Sequence, residues 1–325
     1  MPPLLSVVIA LFNTENEIQI CLESIFKNEW TFFEVIIVDD CSTDNSLSVA
    51  RQFPCRFLST DKNSGPAKAR NMGVREARAE IILFIDSDTR VKNDSLLLFY
   101  EAFQQHLGIS AVIALPEYQS LRRGRAPDYN ALRNHYTLAS SADYTDYFTT
   151  QMGAIRKQSF LAVGGFNENF TSADIEDIEL GMRLPHNSIL IHKGIVIGHH
   201  FPPFDLILKK YIRRAALLTQ MLNKNKRLCQ THASKSGMFS VWIALLSILL
   251  LLLSFCHGYF LLLFGIVIMF FILLNINLFL FSVKARGGMY FLEAVLFEYV
   301  FSLAIGLGGI ASKLRITDSI NMSAR

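Results

Sequence analysis

Ile81-Ile82-Leu83-Phe84-Ile85-Asp86-Ser87-Asp88 is the stretch around which the rest of the chain organises. Five apolar residues run together without polar alternation, the pattern of a strand buried on both faces. Two carboxylates close it where the strand leaves the core. In extended backbone an i, i+2 pair projects to one side of the chain. Hard oxygen ligands so placed suit Mg²⁺ or Mn²⁺ and a phosphate held through the ion. The same residue types also serve as ordinary turn or cap residues after a strand.

Working outward toward the N-terminus, the spacing predicts short strands alternating with helices. Leu5–Leu11 reads as the first buried strand, not as a leader, because no basic segment precedes it. A helix over 15–27 follows, with Ile18, Cys21, Leu22 and Ile25 on one face. A second strand over 34–38 runs into Asp39-Asp40-Cys41-Ser42-Thr43-Asp44. A helix over 46–52, a strand over 56–59, and a loop-to-helix segment over 65–78 lead to the strand at 80–85. This order predicts an α/β fold, a mostly parallel sheet flanked by helices. Ligands of such sheets bind outside the carboxyl ends of the strands. Asn13, Asp39-Asp40 and Asp86-Ser87-Asp88 all follow strands, so they converge on one edge.

Downstream the pattern loosens. A helix is expected over 94–107 and a strand over 110–115. Residues 122–146 are polar and aromatic and read as a loop. A carboxylate-bearing helix is expected over 175–184. From 204 to 222 the apolar residues fall at helical spacing, with Lys209, Lys210, Arg213 and Arg214 toward the other side. Such a helix either lies on an anionic membrane surface or is an ordinary surface helix. Residues 236–283 carry no Asp, Glu, Lys or Arg. That is enough for two membrane spans of about 20 residues with a turn near 256–259. A third apolar segment, 289–310, carries Glu293 and Glu298 and is either spanning or re-entrant; their expected partners are Lys284 or Arg286. Three parts result: a catalytic domain over 1–203, a basic amphipathic helix and linker over 204–235, and a C-terminal membrane helical region over 236–325. Basic residues before the first span and at Lys284 and Arg286 place the catalytic domain on the cytoplasmic side of a multi-pass protein.

Composition agrees. Hydrophobic residues make up 51% of the 325, and 31 basic residues face 28 acidic ones. That balance excludes a nucleic-acid partner, which needs a strongly basic domain. The five cysteines are scattered, which argues against a disulfide framework or a zinc site.

Several segments, in order, resemble the inverting family 2 glycosyltransferases of GT-A fold. They are Ser6-Val7-Val8-Ile9 to Phe12-Asn13; Val35 to Asp44, close to the family's VDDGSTD with Cys41 in place of Gly; and Asn63-Ser64-Gly65-Pro66-Ala67-Lys68-Ala69-Arg70-Asn71-Met72-Gly73. Leu83 to Asp88 follows, and then Val163-Gly164-Gly165-Phe166-Asn167-Glu168 with Glu176-Asp177-Ile178-Glu179-Leu180. The resemblance implies a nucleotide-sugar donor, UDP- or GDP-linked. It implies donor binding by Asn13, Asp39, Asp40, Gly65, Arg70 and Asp86, and a metal held by Asp88, Asp86 and His199. It gives Asp177 the role of catalytic base and Glu176 a place at the acceptor site. The Gln-x-x-Arg-Trp motif of processive synthases is replaced by Lys210 to Ala215, which implies addition of one sugar. A base is needed for a hydroxyl acceptor and not for an ionised phosphate. The expected acceptor is therefore a hydroxyl of a lipid or lipid-linked glycan at the membrane. Transfer to polyprenyl phosphate and a catalytically silent nucleotide-sugar binder are the alternatives.

Overall fold

The computed structural model describes residues 2–225 and 235–314, with only the backbone described at 223–225, 235 and 236. The basic run at 224–227, Cys229, Arg315 and Arg325 therefore lie outside the described side chains.

The strands β1 (Leu5–Leu11), β2 (Phe33–Asp39), β3 (Arg56–Ser59) and β4 (Ile81–Ile85) pair in parallel in the order β3-β2-β1-β4. Their apolar runs feed two cores. Leu5, Val7, Ile9 and Leu11 join Ile81, Leu83 and Ile85 on one face, while Val8, Ile82 and Phe84 pack on the other. The helices α1 (Ile18–Phe26) and α2 (Ser46–Ala50) cover the first face, and α3 (Pro66–Glu76) the second. The helix expected from residue 15 starts at Ile18. Residues 14–17 form a turn in which the Thr14 carbonyl accepts from Glu17 and Ile18.

Beyond β4 the sheet becomes mixed. It adds β5 (Thr89–Arg90), β6 (Ala111–Pro116), β7 (Tyr144–Thr145), β8 (Met152–Arg156) and β9 (Ile189–His199). The full order is β3-β2-β1-β4-β8-β6-β9-β5, with β7 on β9. β8 is antiparallel to both β4 and β6, and β9 is antiparallel to β5. The parallel pairing expected from strand–helix alternation thus holds throughout the first half and returns in the mixed second half only between β6 and β9. A register shift between Ala114 and Leu115 carries β9 past β6, so that its last residue, His199, pairs with Thr89. Three helices, α4 (Ser95–Gln105), α6 (Lys157–Ala162) and α7 (Glu176–Arg183), complete the two cores.

A third layer corrects the sequence reading in three places. First, the stretch expected as a loop holds α5 (Arg125–Ala139), whose Ala126, Tyr129 and Leu132 are buried against the C-terminal helices. Those helices are α8 (Phe204–Asn225), α9 (Lys235–Leu253), α10 (Tyr259–Leu274), α11 (Ile276–Arg286) and α12 (Tyr290–Lys313). Second, two spans do not emerge from 236–283. Among the described residues one helix, α12, is long and apolar enough to cross a membrane, while α10 and α11 meet at a 64° bend. Third, the acids of α12 reach α5 instead of Lys284 or Arg286. Glu298 Oε2 accepts from Arg133 Nε at 2.7 Å and from the Tyr129 hydroxyl at 2.9 Å, and Glu293 pairs with Arg125 at 2.9 Å. Arg286 instead pairs with Asp128 at 3.4 Å. The outer faces of α9 to α12 present Trp242, Leu249, Leu252, Leu262, Met269, Leu292 and Leu296 to the surroundings.

The closest approach between α12 and α8 is made by glycine. A Cβ on Gly308 would lie 2.2 Å from the Ile212 carbonyl oxygen, whereas one on Gly309 would meet only Thr219 Oγ1 at 3.8 Å. Gly308→Ala is therefore expected to lower stability by about 1–3 kcal/mol. Gly309→Ala should leave the thermal transition nearly unchanged or slightly raised, since it adds helix propensity. Melting curves of the two variants in one detergent check the pair.

Candidate active site

A cleft of about 1470 Å³ opens at the carboxyl ends of the first-half strands. Asn13, Asp40, Gly65, Arg70, Asp86, Asp88, Glu176, Asp177 and His199 all line it, although up to 186 residues of chain separate them. Asp39, expected beside Asp40, does not line it. Its carboxylate is buried and accepts from the Ser42 amide at 3.2 Å, tying the loop after β2 to itself.

Asp86, Asp88 and His199 bring one ligand atom each within 4.8 Å of one another. His199 Nε2 lies 3.2 Å from Asp88 Oδ1 and 4.0 Å from Asp86 Oδ2. Backbone pairing explains the meeting. Thr89 of β5 pairs with His199 of β9, and the His200 amide donates to the Asp88 carbonyl. The carboxylates themselves converge through a turn, closed by the Thr89 amide on the Asp86 carbonyl, rather than through extended alternation. Two hard carboxylates and an imidazole form a donor set suited to Mg²⁺ or Mn²⁺. Burial opposes charge on both Asp88 and His199, yet each outweighs it for the other: the Asp88 carboxyl lies below its ordinary value and the His199 imidazole above.

Arg70 holds the two ends of the site together. Its Nη2 donates to Asp86 Oδ1 at 2.8 Å and its Nη1 to Glu176 Oε1 at 2.9 Å. Glu176 spends its other oxygen on the Asp174 amide at 2.9 Å. Asp177, next along α7, is left with one bond, from the Ile178 amide to Oδ1 at 2.8 Å. Burial, then the Glu176 charge, push its carboxyl up to about 6, against the pull of Arg214 and Arg70.

The donor-side loops are shaped by backbone geometry. Asp40 accepts from Thr60 Oγ1 and the Ser64 amide through Oδ1, and from the Gly65 amide at 2.7 Å through Oδ2. Gly65 has φ +90°, and a Cβ there would meet the Thr171 backbone at 2.6 Å, so only glycine fits. Asn13 and Cys41 also have positive φ, at +50° and +62°. The residue standing where the family pattern has glycine is thus a cysteine in a left-handed conformation. Asn13 Oδ1 accepts from the Thr43 amide at 2.8 Å, linking the loops after β1 and β2.

Sequence reading missed the basic wall. Lys210 and Arg214 of α8 line the cleft instead of facing a membrane surface. Arg213 is drawn to Asp174 at 2.8 Å and Ser172 at 2.6 Å. The i, i+4 spacing of Lys210 and Arg214 was the available signal, but spacing does not say which neighbour a helix face meets. Loss of hydration, with Arg214 beside it, holds the Lys210 amine below its ordinary value.

This mixed sheet, with carboxylates at its strand ends and a candidate cation cluster, defines a GT-A-like α/β architecture. Residues 6–164 match the family described as "Glycosyl transferase family 2". Poly(ribitol-phosphate) beta-N-acetylglucosaminyltransferase TarS of Staphylococcus aureus is 28% identical over 187 residues, covering 50% of this chain and 33% of TarS. Glycosyltransferase GlyG of Streptococcus pneumoniae is 36% identical over 110 residues, covering 32% of this chain and 36% of GlyG. The chain thus spans about a third of the length of these curated relatives. A mannosyltransferase from Pyrobaculum calidifontis, solved with GDP-Man and Mn²⁺, shares the fold with a TM-score of 0.60 at 16% identity, covering 97% of this chain and 88% of that one.

Arg70→Met removes the only side-chain donor that Glu176 has within hydrogen-bonding distance among the described residues. Stranding a buried carboxylate costs about 3–5 kcal/mol. The expected outcome is a thermal transition lowered by several degrees, checked by scanning calorimetry. Arg70→Lys should recover part of the loss, since one ammonium cannot reach both carboxylates bidentately.

Proposed function

We propose that this protein is a membrane-attached, inverting glycosyltransferase that moves one sugar from a UDP- or GDP-linked donor to a hydroxyl of a lipid or lipid-linked glycan. The observation that carries this reading is the shared cleft, in which Arg70 bridges Asp86 at the cation cluster and Glu176 beside Asp177. Asn13, Asp40 and the Gly65 loop form the nucleotide side. Asp86, Asp88 and His199 hold the divalent ion, Mg²⁺ or Mn²⁺. When bound, that ion neutralises charge on the departing diphosphate. Arg70 fixes Asp86 and Glu176 in place. Glu176 shapes the acceptor side, and Asp177 takes the proton from the acceptor hydroxyl. A carboxyl with a pKa near 6 is ionised at pH 7.5 and still basic enough to accept that proton.

Relatives accord with a glycan-bearing acceptor: proteins matching this chain include a teichoic acid poly(glycerol phosphate) polymerase and a succinoglycan biosynthesis protein. The apolar outer faces of α9 to α12 supply the attachment. α12, the one described helix long and apolar enough to cross a membrane, is tied to α8 and α5 at Gly308, Glu293 and Glu298, so attachment there would hold the cleft close to the lipid.

Asp177→Asn is expected to lower transfer to a hydroxyl acceptor by about 10²–10⁴-fold. An undiminished rate in the variant would remove Asp177 from the base role and favour a phosphate-oxygen nucleophile, which needs no base. In the wild type the rate should rise with pH through about 6 and level off above it, because the ionised carboxylate is the active form. Chelation by EDTA should abolish release of nucleoside diphosphate, and Mn²⁺ or Mg²⁺ should restore it. His199→Ala should need more metal for half-restoration.

A further inference from the structure

One stripe of α8 faces the cleft, and its chemistry changes along its length. Lys210 lies toward the cation cluster, Arg214 one turn further toward Asp177, and Leu218 another turn on, near Gly237 of α9 and Ile305 of α12. Successive positions four apart rise about 6 Å along a helix. Neither Lys210 nor Arg214 makes an ion pair within 4.0 Å among the described residues, whereas the adjacent Arg213 pairs through Nη2 with Asp174 and Ser172. The Nε atoms of Arg213 and Arg214 are both buried with no hydrogen-bond partner, so it is the missing ion pair that sets Arg214 apart. Two like charges one turn apart repel; the charges of Asp88 and Asp86 near Lys210, and of Asp177 and Glu176 near Arg214, offset part of this without a direct pair, which leaves the donor groups of both cations open to an anion. A guanidinium fork fits a phosphate in particular.

We infer that Lys210 and Arg214 hold a phosphate belonging to an amphiphilic acceptor, whose hydrocarbon chain runs past Leu218 and Ile305 toward the apolar helices. The inference rests on the transfer reaction proposed above, since it names the acceptor of that same site. The donor's diphosphate has its own neutralisers in the cation cluster at the strand ends. Arg214 stands instead beside Asp177, where the acceptor's reacting group must come. Beyond Arg214 the cleft wall turns apolar and joins the helices whose outer faces carry Trp242, Leu249 and Leu252. A ligand following the stripe therefore meets a cation pair first and hydrocarbon next.

The test uses the full chain in nanodiscs and titration calorimetry. The probes are decyl phosphate, decanol, inorganic phosphate, and UDP or GDP with Mn²⁺. The wild type should bind decyl phosphate more tightly than either decanol or inorganic phosphate. Arg214→Ala should weaken decyl phosphate by about tenfold, the scale of one charge-assisted contact, while the nucleoside diphosphate changes by less than about threefold. Arg214→Lys should keep part of the affinity, with an unchanged melting temperature showing that the fold is intact. Leu218→Asp should weaken decyl phosphate and spare inorganic phosphate. Equal or greater loss for the nucleoside diphosphate would overturn the inference, because the pair would then serve the donor. So would decyl phosphate binding no more tightly than inorganic phosphate. Absence of nucleoside diphosphate release from any nucleotide sugar would instead sink the transfer reaction, and the decyl phosphate result would stand apart from it.

Discussion

The guanidinium of Arg70 is the interaction on which the site depends. It stands on α3, is buried, and spans Asp86 on the strand side and Glu176 on the helix side. Without it, like-charged groups from two distant segments would share a pocket of low polarity and repel. With it, two of the carboxylates are neutralised at once, and the remaining acids are left to act. Asp88 turns to His199, and Asp177 keeps a proton affinity unusual for an aspartate. One cation thus separates the acids it pairs, Asp86 and Glu176, from Asp88 and Asp177.

The second determinant is that the cleft has a wall outside the sheet. α8 presents Lys210 and Arg214 inward while its back is pressed on α12, close enough at Ile212 that Gly308 cannot carry a side chain. α5 closes the arrangement, with Arg133 bonded to Glu298 and over the Tyr211 ring. The helices that look like a lipid anchor are therefore also part of the frame of the catalytic cleft. Their charges serve that frame rather than an ion path.

The first four strands were legible because continuous apolar runs ending in polar clusters leave few other readings. The convergence of Asn13, Asp40 and Asp86 followed from where such strands end. The acids of α7 were legible as residues, while their meeting with Arg70 was not, since a tertiary ion pair leaves no period in a sequence. The helix over Arg125–Ala139 was hidden by its polar face: Arg133 and Asn130 look like loop residues until Glu298 and Tyr211 are seen to bind them. The basic face of α8 was legible as a face, but amphipathicity gives a direction without a destination. In 236–283, length alone suggested two spans, and the 64° bend that divides α10 from α11 lies at Asn275, the first of two closely spaced asparagines, with Asn277, in an apolar run.

The pairing of β5 with β9 is only two residues long, and together with the His200 amide on the Asp88 carbonyl it sets His199 beside Asp88. So short a ladder opens locally at small free energy, so the imidazole is the least firmly preset of the three candidate ligands. A divalent ion held by Asp86, Asp88 and His199 would favour the paired form of that ladder, because a ligand bound to one form draws the equilibrium toward it. Metal loading would then be coupled to the ordering of one sheet edge, with slow exchange of the His200 amide as its gauge.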